Sequence, residues 1–199
     1  MSNRPQPCGL RIVKVGGSLL DWPQLAEQLS RWLESQPRQP SVLICGGGDF
    51  TDAVRRAQAI HRFDDETAHW MCVRALSVTA QLLARLLPGA KLAGSLDDVV
   101  ALARGGAEQI VFDAGAFLRA EEPQVVGLPL PHDWTATTDS IAARIAELTG
   151  ASELILLKSS DPPPHRSLAD LAVAGYVDEH FPLAAAELPA IRLVNVRRE

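Results

Sequence analysis

The sequence predicts a three-layer α/β/α sandwich around a largely parallel sheet. Short apolar runs of strand length alternate with longer segments whose apolar residues recur at helical spacing. Two of these runs, in residues 10–18 and 41–49, end on glycine and lead directly into predicted helices. Strands that alternate with helices form parallel sheets covered on both faces, which bind ligands at the carboxyl ends of the strands.

The elements follow one another in a regular order. A strand at about 10–15 leads to a helix at about 19–35, and a strand at 41–45 leads to a second helix. Residues 64–87 predict the longest helix, because acidic and capping residues occupy its first turn and Pro88-Gly89 follows its end. A strand near 90–93, a helix at 96–104 and a strand at 109–113 come next. A helix at 135–149 and strands at 153–157 and 192–196 complete the pattern.

Length and composition indicate a single folded unit. With 199 residues, 47% of them hydrophobic, the chain can bury one substantial core. We expect a flexible N-terminal arm at residues 1–9 and one domain at residues 10–199. Three prolines make residues 121–133 a connection that divides two lobes.

Charge and cysteine content exclude several classes of protein. The net charge is −5 and the cations are dispersed, which argues against nucleic-acid binding and against a polybasic membrane surface. The apolar runs fall far short of the roughly 18 residues of a membrane span. We therefore expect a cytoplasmic protein with a small-molecule substrate. The three cysteines are isolated, so we expect reduced thiols and no structural zinc.

The two glycine clusters are candidate anion sites. They comprise Gly16-Gly17-Ser18 and Gly46-Gly47-Gly48. Glycine at a strand-to-helix turn lets backbone N–H groups and the positive end of the helix dipole approach a phosphate. The alternative is an ordinary tight turn, but two such clusters favour a phosphorylated ligand bound from two sides.

Lysine is rare enough to be informative. The chain has only Lys14, Lys91 and Lys158, against sixteen arginines. Lys14 and Lys158 lie at the carboxyl ends of predicted strands, where a compact point charge suits a phosphoryl group. Asp139 could hold both lysines in place. Neither a Walker A sequence nor a Gly-x-Gly-x-x-Gly motif is present, which weakens P-loop and Rossmann interpretations.

Four motifs in this order resemble the amino acid kinase superfamily, which includes acetylglutamate, carbamate, uridylate and isopentenyl phosphate kinases. They are Lys14-Val-Gly-Gly-Ser18, Gly46-Gly47-Gly48, Thr138-Asp139-Ser140, and the strand and loop at residues 154–161. The resemblance spans most of the chain. It implies direct in-line transfer of a phosphoryl group from MgATP to a small acceptor, which needs positioning and charge neutralisation but no general base.

The resemblance also implies roles for individual residues. Lys14, Asp139 and Lys158 would be catalytic, and Mg²⁺ would be held only through the ATP phosphates. Nucleotide binding would involve Gly16, Gly17, Ser18, Thr138, Ser159 and Asp161, and acceptor binding would involve Gly46, Gly47, Gly48 and His69. The acceptor lobe would cover about 10–120 and the nucleotide lobe about 134–199. Helix-mediated dimers are also implied.

A narrower similarity concerns residues 65–71 and the segment around Trp134. Both resemble the kinases that phosphorylate (aminomethyl)furanmethyl phosphate in methanofuran-type cofactor synthesis. Such an acceptor carries a phosphate and an ammonium group. Two simpler interpretations stay open, because Asp64 to Glu66 are typical of a solvated first helical turn and His69 and Trp70 of packing residues.

The chain departs from the superfamily pattern in two places. No lysine follows Lys158, so either Lys158 supplies the second catalytic cation or the chemistry is impaired. Three prolines follow Asp161, where free N–H groups are expected next to adenine. The alternatives are therefore a non-catalytic nucleotide- or oxyanion-binding protein, a kinase for another small carboxylate or phosphate, and a mainly structural protein that dimerises through its longest helix.

Overall fold

One parallel sheet runs through the described part of the chain. The computed structural model describes residues 9–127, 129–164 and 167–198, so the predicted arm lies, apart from Gly9, outside them. The strands are β1 (Arg11–Val15), β2 (Ser41–Cys45), β3 (Lys91–Ala93), β4 (Gln109–Phe112), β5 (Glu153–Lys158) and β6 (Ile191–Asn195). They are ordered β3-β4-β2-β1-β5-β6, and every neighbouring pair is parallel. The predicted parallel sheet is confirmed.

Helices connect the strands. They are α1 (Leu25–Ser35), α2 (Asp49–His61), α3 (Asp65–Leu86), α4 (Leu96–Arg104), α5 (Ala114–Ala120), α6 (Thr138–Thr149), α7 (Leu168–Val173) and α8 (Phe181–Ala184), with 3-10 turns at Gly17–Leu19 and Glu122–Gln124. Across the described ranges, no helix combines the length and the apolar character that crossing a membrane requires.

The helices cover both faces of the sheet. Alternate strand residues point to opposite faces, so Ile12 belongs to one apolar cluster and Val13 to the other. The first cluster packs against α4 to α8 and the N-terminal half of α3, whereas the second packs against α1 and the C-terminal half of α3. The predicted three-layer arrangement is confirmed, and α3 contributes to both faces.

Two helices begin later than the sequence predicts, and three short helices were not predicted. The helix expected from residue 19 begins at Leu25, because Pro23 favours an extended conformation at Trp22. The helix expected from residue 135 begins at Thr138. The short helices α5, α7 and α8 offer too few turns for a periodic signal, and α5 begins where the Asp113 side chain accepts a hydrogen bond from an N–H of its first turn.

Three loops of the predicted site follow the carboxyl ends of neighbouring strands. β1 pairs with β2 on one side and with β5 on the other, and its last residue Val15 aligns with Cys45 and Leu157. The loops at 16–18, 46–48 and 159–161 therefore leave the sheet at the same level. In open parallel sheets this is the point at which ligands bind.

The two glycine loops contact each other through their backbones. A methyl group at Gly17 would lie 2.3 Å from the Gly48 nitrogen, and one at Gly46 would lie 2.5 Å from the Gly17 nitrogen. Gly48 also has a φ of +53°, in the left-handed region that favours glycine. The packing of one loop on the other thus requires glycine here, whether or not a ligand is bound.

Gly17→Ala should lower the free energy of unfolding by about 1–3 kcal/mol, because the loops must separate to admit the methyl group. Gly94→Ala is the matched control, since its added methyl group would meet no atom closer than 3.8 Å. Urea unfolding followed by circular dichroism measures both variants. Equal stability of the two variants would contradict this account of the loop contact.

Candidate active site

The side chains of two lysines and one aspartate meet at the carboxyl ends of the strands. Lys14 comes from β1, Lys158 ends β5, and Asp139 lies in the first turn of α6. The Lys14 ammonium nitrogen is 2.8 Å from Asp139 Oδ1, and the Lys158 ammonium nitrogen is 2.7 Å from Oδ2. One carboxylate bridges both cations, so the structure brings together the three residues predicted to be catalytic. We call them the lysine–aspartate triad.

Little solvent reaches this triad. The side chains of Lys14, Asp139 and Lys158 are 7%, 5% and 14% exposed. Burial raises the pKa of Asp139, but the charges of the two lysines outweigh burial and hold that pKa below its usual value. Burial and the nearby Lys14 lower the pKa of Lys158 to about 8, although Asp139 opposes the shift. With both lysines protonated, the triad has one positive charge in excess.

Asp178 fixes the start of α6. Its carboxylate accepts hydrogen bonds from the Thr137 N–H (2.9 Å) and hydroxyl (2.8 Å), from the Ser140 N–H (3.1 Å) and hydroxyl, and from the Phe181 N–H (2.8 Å). Thr137 is the N-cap residue but makes no side-chain capping bond of its own. A carboxylate from a distant loop therefore caps the turn that carries Asp139.

Tyr176 contacts the end of β5 in three ways. Its carbonyl oxygen accepts a hydrogen bond from the Lys158 ammonium group at 2.8 Å, and its hydroxyl donates to the Ser160 carbonyl at 3.1 Å. The Lys158 ammonium nitrogen also lies 5.3 Å from the centre of the tyrosine ring. Lys158 is thus held between Asp139 on one side and Tyr176 on the other.

Two of the predicted nucleotide-binding loops face each other beside the triad. The hydroxyl oxygens of Ser18 and Ser159 are 3.1 Å apart. The Gly16 N–H donates to the Leu157 carbonyl at 2.9 Å, which continues the pairing of β1 with β5 past the end of β1. These contacts bring Gly16, Ser18 and Ser159 to a single site, with Gly17 in the loop contact described above.

Asp161, also predicted to bind nucleotide, has partners within the chain. Its carboxylate accepts a hydrogen bond from Asn195 Nδ2 at 2.9 Å and forms an ion pair with Arg198. Three prolines follow it. The loop after β5 is therefore tied to the loop after β6, and Asp161 must leave these partners before it can bind another group.

A pocket of about 90 Å³ opens beside the second glycine loop. Its wall includes Gly47, Arg55, His69, Asp133, Trp134 and Thr138. The Arg55 guanidinium lies 4.2 Å from the centre of the Trp134 ring, and Trp134 Nε1 donates to Gln58 Oε1 at 2.8 Å. The pocket thus combines a cation, a carboxylate and flat aromatic surface. Of the predicted acceptor residues, Gly47 and His69 line it, and Thr138, predicted to bind nucleotide, lines it as well.

His69 both lines the pocket and packs against other rings. Its ring stacks on His132, with 4.5 Å between ring centres, and meets Trp70 edge-on at 5.1 Å. Burial and the neighbouring His132 lower the pKa of His69 to about 4, so this imidazole is neutral at pH 7.

Several residues of the site were not singled out from the sequence. Arg55 did leave a signal, because Thr51 and Arg55 are four positions apart in the helix after the second glycine loop and so share one helical face. Tyr176 and Asp178 left none. Their contacts depend on how the segment before α8 returns to the sheet, which no local pattern encodes.

Solved structures of uridylate kinases have the same fold. The structure of uridylate kinase from Archaeoglobus fulgidus matches with a TM-score of 0.64 and 17% sequence identity, over 94% of this chain and 92% of that chain. UMP kinase from Ureaplasma parvum matches with a TM-score of 0.63 and 16% identity, over 95% and 90%. The fold is therefore that of a known class of α/β kinases.

Sequence comparison defines the family. The profile of the Amino acid kinase family matches residues 9–162, which include β1 to β5 and the whole triad. The chain belongs to the amino acid kinase family and is a phosphotransferase. It is also similar to [5-(aminomethyl)furan-3-yl]methyl phosphate kinase from Methanocaldococcus jannaschii, with 23% identity over 164 residues that cover 76% of this chain and 67% of the relative.

Lysine NMR should reveal one group that titrates near pH 8. Because the chain has three lysines, ¹³Cε labelling gives few signals, and the signal with this midpoint should disappear in Lys158→Gln. The ammonium group loses its proton as the pH rises through about 8, so the triad loses its excess positive charge above that pH. The absence of any lysine midpoint between pH 7 and 9 would contradict this electrostatic description of the triad.

Proposed function

We propose that this kinase transfers the γ-phosphoryl group of ATP to a small acceptor that already carries a phosphate and an amine. The observation that carries the proposal is the position of the lysine–aspartate triad, which lies at the switch point of the sheet, where β1 and β5 end and the first glycine loop begins. Phosphoryl transfer depends on positioned positive charge and backbone N–H donors more than on covalent catalysis. This site provides both.

The transfer step needs little from the protein beyond electrostatics. The bond between the γ-phosphorus and the β–γ bridging oxygen breaks, and a bond forms to an oxygen of the acceptor phosphate, which gives ADP and a diphosphate. The attacking oxygen is already anionic, so no base has to remove a proton. Lys14 and Lys158 would stabilise the charge on the transferred group, and Asp139 would keep them at a fixed separation.

Magnesium fits this site only as part of the nucleotide complex. Each oxygen of the Asp139 carboxylate lies within 2.8 Å of an ammonium nitrogen, so a metal ion would have to compete with two cations for it. Mg²⁺ would therefore be held by the ATP phosphate oxygens, where it neutralises part of their charge. The surplus positive charge of the triad favours a polyanion of this kind.

The aromatic pocket supports a particular class of acceptor. The Arg55 guanidinium can meet the existing phosphate, Trp134 and His69 offer flat surface to a ring, and Asp133 can meet an ammonium group. The relative from Methanocaldococcus jannaschii is named for such an acceptor, a furan ring with an aminomethyl group and a methyl phosphate. We therefore propose (aminomethyl)furanmethyl phosphate, and with it a step of methanofuran-type cofactor synthesis.

The structure also bears on the missing family lysine. Lys158 already contacts the same carboxylate as Lys14, so a second cation is present without any lysine later in the chain. This supports catalysis by Lys158 over the alternative of a binding protein without transfer.

A cytoplasmic location and a dimer stay predictions. Three exposed apolar residues on α3, Met71, Val78 and Leu82, are consistent with the predicted dimer contact.

Phosphorus NMR tests the proposed reaction. Purified protein with MgATP and (aminomethyl)furanmethyl phosphate should give ADP and a new pair of diphosphate signals. Lys14→Ala should reduce this rate by about 100- to 1,000-fold while the chain stays folded. Lys91→Ala, which changes an exposed lysine on β3, is the control and should retain the wild-type rate. If ATP signals broaden but no product forms, this acceptor is refuted, and either a kinase for a different acceptor or a binding protein replaces the proposal.

Arg55→Ala should raise the KM for the phosphorylated acceptor by about tenfold or more, because a charge-assisted contact to phosphate is lost, and should leave the KM for ATP nearly unchanged. Arg56→Ala is the matched control, since Arg56 is its exposed neighbour on α2 and is not part of the pocket wall. Steady-state kinetics with each substrate varied in turn separates the two effects. An unchanged acceptor KM in Arg55→Ala would remove Arg55 from the acceptor site.

A further inference from the structure

The segment from Tyr176 to Asp178 is tied to both elements that present the lysine–aspartate triad. Through its carboxylate, Asp178 holds the first turn of α6, which carries Asp139. Through its carbonyl oxygen, Tyr176 holds the ammonium group of Lys158 at the end of β5. The two contacts are made by residues only two positions apart, so they fix α6 relative to β5.

This segment lies outside the residues matched by the family profile, which end at 162. It has a further tie to the same region, because the His180 N–H donates to the carbonyl of Thr135 just before α6 at 3.0 Å. These contacts belong neither to the sequence motifs nor to the triad itself. Together they fix the positions of Asp139 and Lys158.

We propose that Asp178 and the Tyr176 carbonyl are positioning groups for phosphoryl transfer, which hold Asp139 and Lys158 so that Lys158 serves as the second cation of the triad. The proposal rests on the proposed kinase function. Asp178 would act through α6 and Lys158 and would not touch the reacting phosphoryl group.

The role of Asp178 needs a carboxylate and not merely a polar side chain. Both of its oxygens accept a hydrogen bond from a backbone N–H: Oδ2 from the N-cap residue Thr137 and from Ser140 of α6, and Oδ1 from Phe181. An amide has only one oxygen, so Asp178→Asn places an NH₂ group against at least one of these donors. If the amide oxygen replaces Oδ2, the NH₂ group faces the Phe181 N–H, and in the other orientation it faces the N–H groups of Thr137 and Ser140. In either case α6 and the segment before α8 must shift relative to each other, which displaces Asp139 from Lys158.

Asp178 also acts on Lys158 through its charge. The charged groups that face Lys158 are Lys14 from β1, Asp139 from α6 and Asp178 from the segment before α8. Both carboxylates favour the protonated lysine, and Lys14 disfavours it. Removal of the Asp178 charge should therefore let the ammonium group lose its proton at a lower pH.

The test compares Asp178→Asn with the full-length wild-type protein in two measurements. In ¹³Cε-lysine NMR, the midpoint that belongs to Lys158 should move to lower pH by about half a unit. In steady-state kinetics at pH 7, kcat should fall by about tenfold or more with a small change in the KM for ATP, because the catalytic groups are displaced while the nucleotide loops are retained.

Asp113→Asn is the matched control. Asp113 is also a capping carboxylate, for α5, and accepts hydrogen bonds from the Ala116 N–H at 2.9 Å and the Ser77 hydroxyl at 2.7 Å. Both donors bind the same oxygen, which asparagine retains, so this variant should change the melting temperature little and should move neither the Lys158 midpoint nor kcat. If Asp178→Asn behaves in this way too, Asp178 is only a stabilising cap and the proposal is overturned.

A second variant covers the case in which Asp178→Asn does not fold. Ser140→Ala removes one hydroxyl donor to Asp178 and keeps its charge, so it should leave the Lys158 midpoint in place and lower kcat. Unchanged kcat per folded molecule would contradict the positioning role.

If the wild-type protein transfers no phosphate to any acceptor, the proposed function fails separately. The Lys158 midpoint in Asp178→Asn or, if that variant does not fold, in Asp178→Ser, which also removes the charge, then decides whether Asp178 controls Lys158: an unmoved midpoint refutes the inference.

Discussion

The bridge from Asp139 to Lys14 and Lys158 is the interaction on which the rest of the site depends. Buried charges are costly unless each one is paired at short range, and the loss of one partner leaves another charge without compensation. Here one carboxylate serves two ammonium groups, at 2.8 Å and 2.7 Å. Such a bridge can form only if β1, β5 and α6 are held in one fixed register. The parallel pairing of β1 with β5 and the cap on α6 provide that register.

The two sides of the triad are built differently. On the side of the predicted nucleotide site, the glycine loops pack backbone against backbone, and the exposed Ser18 hydroxyl lies 3.1 Å from that of Ser159. On the protein side, the carboxylate and carbonyl groups of the segment before α8 fill the hydrogen-bonding needs of α6 and Lys158. Anions are thereby kept inside the protein where they position cations, and the open face of the site presents donors. This division of polarity suits a phosphorylated ligand.

The parts of the molecule that could be predicted from the sequence are those with local signals. The strands, the long α3 and the two glycine loops each leave a periodic or compositional mark, and Lys14 and Lys158 were identifiable because lysine is so rare here. Asp139 was recognised from its motif. Asp178 was not, because its partners lie about 40 residues away in sequence and its neighbours form only short helices. Helix starts were also misjudged where proline or a side-chain turn delays the first helical residue.

The central place of β1 in the sheet has a consequence for how the chain is made. β1 emerges before the other described strands during synthesis, yet one of its two neighbours, β5, is formed by residues that follow much later. Ser152 and Leu10, which flank this pairing, are 142 residues apart. Until β5 is complete, β1 has β2 on one side and an open hydrogen-bonding edge on the other, which is the kind of edge that recruits foreign strands. The growing chain must therefore keep this central strand protected until β5 has been synthesised, and contacts of such long range slow the final closure of the sheet.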